Sequence, residues 1–92
     1  MKLSFQWNGN KAQTNLRKHK ISFEEAKTIF EDPLSSTIAD PLHSEYESRF
    51  VQIGMSSMNK ILVVVFTDRN DSIRIISARK ATKQEVKKYE KE

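Results

Sequence analysis

The sequence predicts an α+β domain: a small antiparallel β-meander with two helices before it and one after it. Three observations carry this. Arg49–Ser56, Lys60–Thr67 and Ser72–Arg79 are apolar, β-branched runs joined by the short links Met58-Asn59 and Asp68-Arg-Asn-Asp71, the spacing of hairpin-linked strands. Ser22-Phe-Glu-Glu25 and Thr82-Lys-Gln-Glu85 are capping boxes that open a helix on either side of them. The length, 92 residues, fits a single domain over 1–92.

The elements follow in order. Leu3-Ser-Phe-Gln-Trp7 alternates apolar and polar, so it reads as a short strand. Asn8 is a good N-cap for a helix of about residues 9–19, with Ala12, Leu16 and His19 on one face. The helix opened by Ser22 carries Phe23, Ala26 and Phe30 on one stripe, and Asp32-Pro33 ends it. Leu34 to Ala39 reads as an edge strand, and Asp40-Pro41-Leu42-His43 as a turn. Ile61-Leu-Val-Val-Val-Phe66 is apolar on both faces. That marks the central strand, covered at least in part on both sides. The last helix has only Val86 and Tyr89 as its apolar stripe, so it must dock to persist.

The links imply the pairings Arg49–Asp68–Ile73 and Met55–Leu62–Arg79. The pleat then sorts residues into two faces. Val51, Ile53, Leu62, Val64, Phe66, Ile73 and Ile75 share the more apolar face, where the helices are expected. Phe50, Gln52, Val63, Val65, Thr67, Arg74 and Lys80 share the other, the better binding surface.

Composition removes several function classes. With no cysteine, there is no disulfide framework, no thiolate zinc site and no cysteine nucleophile. The longest apolar run, Ile61 to Phe66, is far short of the roughly 20 residues that span a bilayer. No apolar signal segment is visible at the N-terminus, so the expected address is the cytoplasm, with no membrane partner. No P-loop, Gly-rich nucleotide turn or metal-ligand spacing occurs. His43-x-Glu45-x-Glu47 resembles a metal cluster only superficially, and a solvated loop is the plainer reading. No cofactor and no metal are expected.

Net charge is +4, and it is unevenly spread. Residues 1–20 hold five basic and no acidic groups, residues 21–71 four basic and nine acidic, and residues 72–92 seven basic and three acidic. If the two positive ends meet, they form one basic surface suited to a polyanion such as RNA, or to an acidic protein. Solvated lysines are the plain alternative.

Arginine within a strand needs a partner or exposure, and Arg49, Arg74 and Arg79 are three such cases. A cross-strand ion pair, Arg49 with Asp68, is one explanation. A phosphate clamp is the other, because the guanidinium fork matches phosphate oxygens. His19 lies between Lys18 and Lys20 at a helix C-terminus. It is either a dipole-stabilising cap or a proton-transfer group, since imidazole titrates near working pH.

Taken together, these residues resemble a known family. Phe5-Gln-Trp7, Lys11-x-x-x-Asn15-Leu-x-Lys18-His19-x-Ile-Ser22-Phe-Glu-Glu-Ala26 and Phe30-x-Asp32-Pro33 are similar to the N-terminal half of the BrnT toxins of bacterial type II toxin–antitoxin pairs. His43-Ser-Glu-x-Glu-x-Arg49-Phe, Ile53-Gly54 and Ile73-Arg-Ile-Ile-Ser-Ala-Arg79-Lys-Ala-Thr82, with Glu85 and Tyr89, continue the likeness over nearly the whole chain. Family members usually have Asp after the Trp, where this chain has Asn8.

The resemblance implies a RelE-like, metal-independent endoribonuclease that cuts RNA to arrest translation. Its partner would be a BrnA-type antitoxin that covers it and helps repress their operon, so DNA enters only through the antitoxin. RelE-like cleavage uses the RNA's own 2′-hydroxyl as nucleophile. Arg49 and Arg79, at the family's basic positions, would stabilise the phosphorane, and His19 or Lys18 would handle protons. Lys18, Lys20, Arg74, Lys80 and Tyr89 would bind RNA, Tyr89 by stacking on a base or orienting the phosphate, though core packing is the plainer role for it. On the expected register Arg49 and Arg79 share a face but lie at opposite ends, six residues or roughly 20 Å apart, so the clamp would be Arg79 with the N-terminal basic helix, and Arg49 would bind a second phosphate or hold the fold. Two other readings stand beside this one: a non-catalytic module that binds RNA or protein, and an inactive toxin remnant kept for operon control.

Overall fold

A computed structural model describes residues 3–40 and 48–91. The turn expected at 40–43 lies outside the described residues except for Asp40, and so does the whole His43-Glu45-Glu47 cluster.

The described elements are β1 (Ser4–Gln6), α1 (Gly9–His19), α2 (Phe23–Lys27) running into a 3-10 turn (Thr28–Glu31), β2 (Ser36–Ala39), β3 (Arg49–Met55), β4 (Ile61–Arg69), β5 (Ser72–Lys80) and α3 (Lys83–Lys91). They form one five-stranded sheet in the order β1-β5-β4-β3-β2. The meander from β3 to β5 is antiparallel, β2 is its edge, and β4 is central, as the sequence predicts. The strand at the N-terminus adds something the pattern did not indicate. β1 pairs parallel with β5, Phe5 opposite Ile73, so the sheet is mixed.

The caps behave largely as expected. Asn8 accepts a hydrogen bond from the Lys11 N–H at 3.1 Å and opens α1. Ser22 accepts from the Glu25 N–H, but the Glu25 carboxylate turns elsewhere: it accepts from the Ser56 hydroxyl at 2.7 Å and faces Lys60 at 3.7 Å. One half of that capping box has become a latch between α2 and the β3–β4 turn. The Thr82 box closes in both directions, Glu85 N–H to Thr82 and Thr82 N–H to Glu85.

The register of β3 on β4 is one residue away from the expectation. Arg49 lies opposite Thr67, not Asp68, and Met55 opposite Ile61, not Leu62. A one-residue slip exchanges the faces of the whole strand. Phe50 and Gln52 therefore join Val64 and Phe66 beneath the helices, and Phe50 stacks on Phe66 with centroids 5.5 Å apart. Val51 and Ile53 move to the opposite face beside Val63 and Val65. The cause is the turn, which occupies Ser56–Lys60 instead of two residues. The Ser56 N–H donates to the Lys60 carbonyl, and Asn59 takes the left-handed φ of 62°. A second irregularity, a bulge between Val65 and Phe66 against β5, leaves Ile76 without a ladder partner.

The core lies between the sheet and the α1–α2 layer. Ile21, Phe23, Ala26 and Ile29 pack on Leu62, Val64, Phe66, Ile73, Ile75 and Ala78. Gly54 is required here. A Cβ at this position would stand 2.8 Å from the Ser35 Cβ and 3.2 Å from the Ile29 carbonyl, so the 3-10 turn sits directly on β3. α3 does not join this layer, contrary to the expectation of all helices on one face. It lies over the opposite face, where Glu85, Lys88 and Tyr89 border a hollow of about 450 Å³ with Val51, Ile53 and Val63.

Candidate functional site

The site begins with how α1 is held. Asn15, not the expected Ala12–Leu16–His19 stripe, is its anchor, for Asn15 is buried and both Leu16 and His19 are exposed. Its amide accepts from the Ala78 N–H at 3.1 Å and donates to the Ala78 carbonyl at 2.9 Å and the Ile21 carbonyl at 3.0 Å. The side chain thus takes the place of a strand on the edge of β5, beyond the point where β1 stops. A buried amide with all these groups satisfied fixes register as well as position. The signal for it was Asn15, an amide in the middle of a mostly polar and basic helix.

This anchor sets the basic helix α1 against β5. A hollow of about 310 Å³ runs between α1 and the bulged part of β5, bordered by Lys11, Thr14, Lys18, His19, Ile76 and Ser77. Arg17, Lys18 and His19 occupy the last turn of α1, where cations suit the helix dipole. Lys20 ends the helix in the left-handed region, φ 62°, with its N–H on the Leu16 carbonyl. Glycine would adopt that conformation without strain.

Arg74 and Arg79 lie on the same face of β5, on either side of Ser77. Arg79 is engaged. Its guanidinium grips the Glu85 carboxylate with two bonds, 2.8 and 3.0 Å, and donates to the Lys80 carbonyl at 3.2 Å. The bidentate bond to Arg79, with the Thr82 N–H, holds the Glu85 carboxyl down at about 2, and Arg79 is raised in return. Arg79 therefore ties α3 to the sheet while keeping 41% of its side chain open to solvent.

Of the two roles open to Tyr89, the structure favours packing. Tyr89 is only 8% exposed, and its hydroxyl donates to Asp32, which also accepts from the Met55 N–H. That hydrogen bond, helped by burial, pushes the phenol up to about 12. A ring enclosed in this way docks α3 and offers no face to a base.

Arg49 shares its face with Arg79, as expected. It stands opposite Thr67, and Arg79 opposite Val63, so roughly 13 Å of β4 separates them. The nearer cation across the sheet is Arg74, the other ladder neighbour of Thr67. The slipped register thus moves Arg49 and Arg74 onto one face, where the expected pairing had put them on two. Lys80 lies at the far end of β5 with Lys60 and Ala81, away from the α1 hollow. The structure gathers Lys11, Lys18 and His19 beside Ile76 and Ser77 in the middle of β5. It places Arg49 beside Arg74, and Lys80 apart. Thr67 was not singled out by the sequence. Its hydroxyl is buried and, among the described residues, makes no hydrogen bond.

The chemistry available is cationic and protic. Lys11, Lys18 and His19 border an open hollow, and Arg49 and Arg74 flank Thr67 on the sheet, arrangements suited to phosphate. Among the described residues, no three His, Cys, Asp or Glu side chains gather as metal ligands, and no helix is long and apolar enough to cross a membrane.

Comparison with known proteins supports this. Residues 7–85 match the family described as "Ribonuclease toxin, BrnT, of type II toxin-antitoxin system". Among solved structures, the fold is similar to that of the Brucella abortus ribonuclease toxin BrnT, known from a crystal structure at 1.1 Å, with a TM-score of 0.65. The two are 24% identical over 89% of this chain and 100% of the Brucella chain. No curated protein matches.

Proposed function

Because the chain belongs to the BrnT family of ribonuclease toxins of type II toxin–antitoxin systems, we propose that it is a single-domain, metal-independent endoribonuclease of the cytoplasm that arrests translation and is silenced by a BrnA-type antitoxin. One observation carries the reading to this chain's own residues. The basic N-terminal helix borders an open hollow against β5, where Lys11, Lys18 and His19 face Ile76 and Ser77.

In this reading the nucleophile is the RNA's 2′-hydroxyl. It gives up its proton and bonds to the adjacent phosphorus, the bond from phosphorus to the 5′-oxygen breaks, and that oxygen takes a proton. The products are a 2′,3′-cyclic phosphate and a 5′-hydroxyl. Such a reaction needs a proton acceptor, a proton donor and cations at the phosphorane. His19 and Lys18, both exposed at the rim, supply proton transfer. Arg79 supplies positive charge at the phosphorane, Lys20, Arg74 and Arg49 hold neighbouring phosphates, and Lys80, at the far end of β5, meets the backbone further along. RNA lies along the α1–β5 surface, and its affinity falls with salt.

The antitoxin covers the same surface with acidic groups opposite Lys18, Lys20, Arg74 and Lys80, and matching of this kind chiefly sets association rate. DNA is reached only through the antitoxin. The test is expression of the chain alone and together with the small reading frame beside its gene. Alone, it halts growth and fragments RNA, and the neighbour restores both. Normal growth with intact RNA refutes the toxin reading and favours a binding module or an inactive remnant.

A further inference from the structure

One row of the sheet holds an unsatisfied group between two cations. Across β3, β4 and β5 the ladder places Arg49 opposite Thr67 and Thr67 opposite Arg74. Directly opposite residues share a face. Phe66, Ile73 and Ile75 point into the helix-covered core, so their neighbours Thr67 and Arg74 point to the other side, and Arg49 with them. The row is two strand spacings wide, roughly 10 Å between the arginine Cα atoms. Arginine side chains reach inward over that distance with ease.

Thr67 lies at the centre. The residue is only 2% exposed, and its Oγ1 has no hydrogen-bond partner. Nearly all buried hydroxyls are satisfied, and an unsatisfied one is costly. Valine has the same shape and a higher strand propensity, so packing alone does not call for a hydroxyl here. Once the side chains that cover it part, a hydroxyl donor between two guanidinium forks matches the oxygens of a phosphate: one O–H bond from the floor and charge-assisted N–H bonds from either side. Asp40, whose N–H donates to the Arg49 carbonyl at 2.9 Å, is the acidic group at that end of the row.

We propose that Arg49, Thr67 and Arg74 form a phosphate subsite for a phosphodiester of the RNA backbone other than the one that is cut. The assignment rests on the ribonuclease reading above and deepens it. Arg74 and Ser77 are three positions apart on β5, roughly 10 Å, so one strand of RNA can occupy this row and the α1 hollow together. Arg49 then positions the substrate from a neighbouring phosphate instead of sharing the scissile one with Arg79.

The test uses the intact chain and a short single-stranded RNA that is 2′-O-methylated throughout, so it binds and is not cut. Fluorescence anisotropy gives Kd over a range of salt, and thermal unfolding runs in parallel. Thr67→Val removes one hydroxyl and keeps the shape. It should weaken binding about tenfold, the usual effect of losing a hydrogen bond to a charged group, while unfolding at the same temperature or higher. Arg74→Ala should lower the slope of log Kd against log salt by about 0.7, one phosphate contact on a single strand. A merely structural threonine predicts a destabilised Thr67→Val with unchanged Kd, and that result overturns the subsite. If the wild type cuts unmodified RNA yet both variants bind as it does, the subsite fails and the ribonuclease reading stands. If the wild type neither binds nor cuts RNA, both fail.

Discussion

Glu85→Gln separates the two tasks given to Arg79. In the folded chain Glu85 is held at about 2, against an ordinary value of 4.5. At about 1.4 kcal/mol for each pH unit, the ceiling on its contribution to stability is about 3 kcal/mol. Solvent screens the bridge, however: Arg79 is 41% and Glu85 31% exposed, which reduces the expected value to about 1–2 kcal/mol. For a domain of this size that lowers Tm by about 4–16 °C. The folded value lies below the unfolded one, so the contribution is complete above about pH 5 and fades as pH falls through 4.5 toward 2. Thermal unfolding of wild type and Glu85→Gln from pH 7 to pH 3 reads this directly. The gap in Tm should be full at pH 7 and shrink toward pH 3. A gap that stays constant across that range refutes the linkage and leaves Glu85 as a plain cap. RNA cleavage supplies the second arm. Glu85→Gln keeps the guanidinium and should keep cutting, whereas Arg79→Ala should cut about 10²–10³-fold more slowly, the usual cost of losing one transition-state donor.

Three further substitutions test the scaffold. Gly54→Ala forces a Cβ against Ser35 and Ile29, so it should destabilise by about 1–3 kcal/mol in denaturant unfolding. Asn15→Ala strands the Ala78 N–H and carbonyl on the β5 edge. It should cost about 3 kcal/mol and expose the Ala78 amide to hydrogen exchange. Lys20→Gly relieves the left-handed φ of 62° and should raise stability by about 1 kcal/mol, while weakening RNA binding through the lost charge.

What the sequence disclosed is mostly local. Asn8 and the run to His19 marked α1 to the residue, because a cap is a short-range hydrogen bond. The two capping boxes and the three apolar runs likewise carry their signals within a few positions. The parallel pairing of β1 with β5 joins Phe5 to Ile73 across most of the chain, and nothing near Phe5 encodes it. The face assignment failed through one turn. A reading of Met58-Asn59 as the link is one residue away from a turn over Ser56–Lys60, and period-2 strands turn that slip into an exchange of faces. The same slip hid the row of Arg49, Thr67 and Arg74. Charge asymmetry pointed to one basic surface shared by the two ends; α1 and β5 do lie in contact, but at the hollow between them α1 supplies Lys11, Lys18 and His19 while β5 supplies Ile76 and Ser77. Tyr89 looked usable for stacking because the one-sided stripe of α3 did not show how deeply its ring is enclosed.

The central claim is that this chain cuts RNA by its own side chains and the substrate's 2′-hydroxyl. The most direct measurement is incubation of purified protein with RNA in excess EDTA, followed by end-group analysis of the fragments. The account predicts cleavage at an undiminished rate, with 2′,3′-cyclic phosphate and 5′-hydroxyl ends. Cleavage that stops on chelation and returns with Mg²⁺, or fragments that carry 5′-phosphate ends, would contradict it.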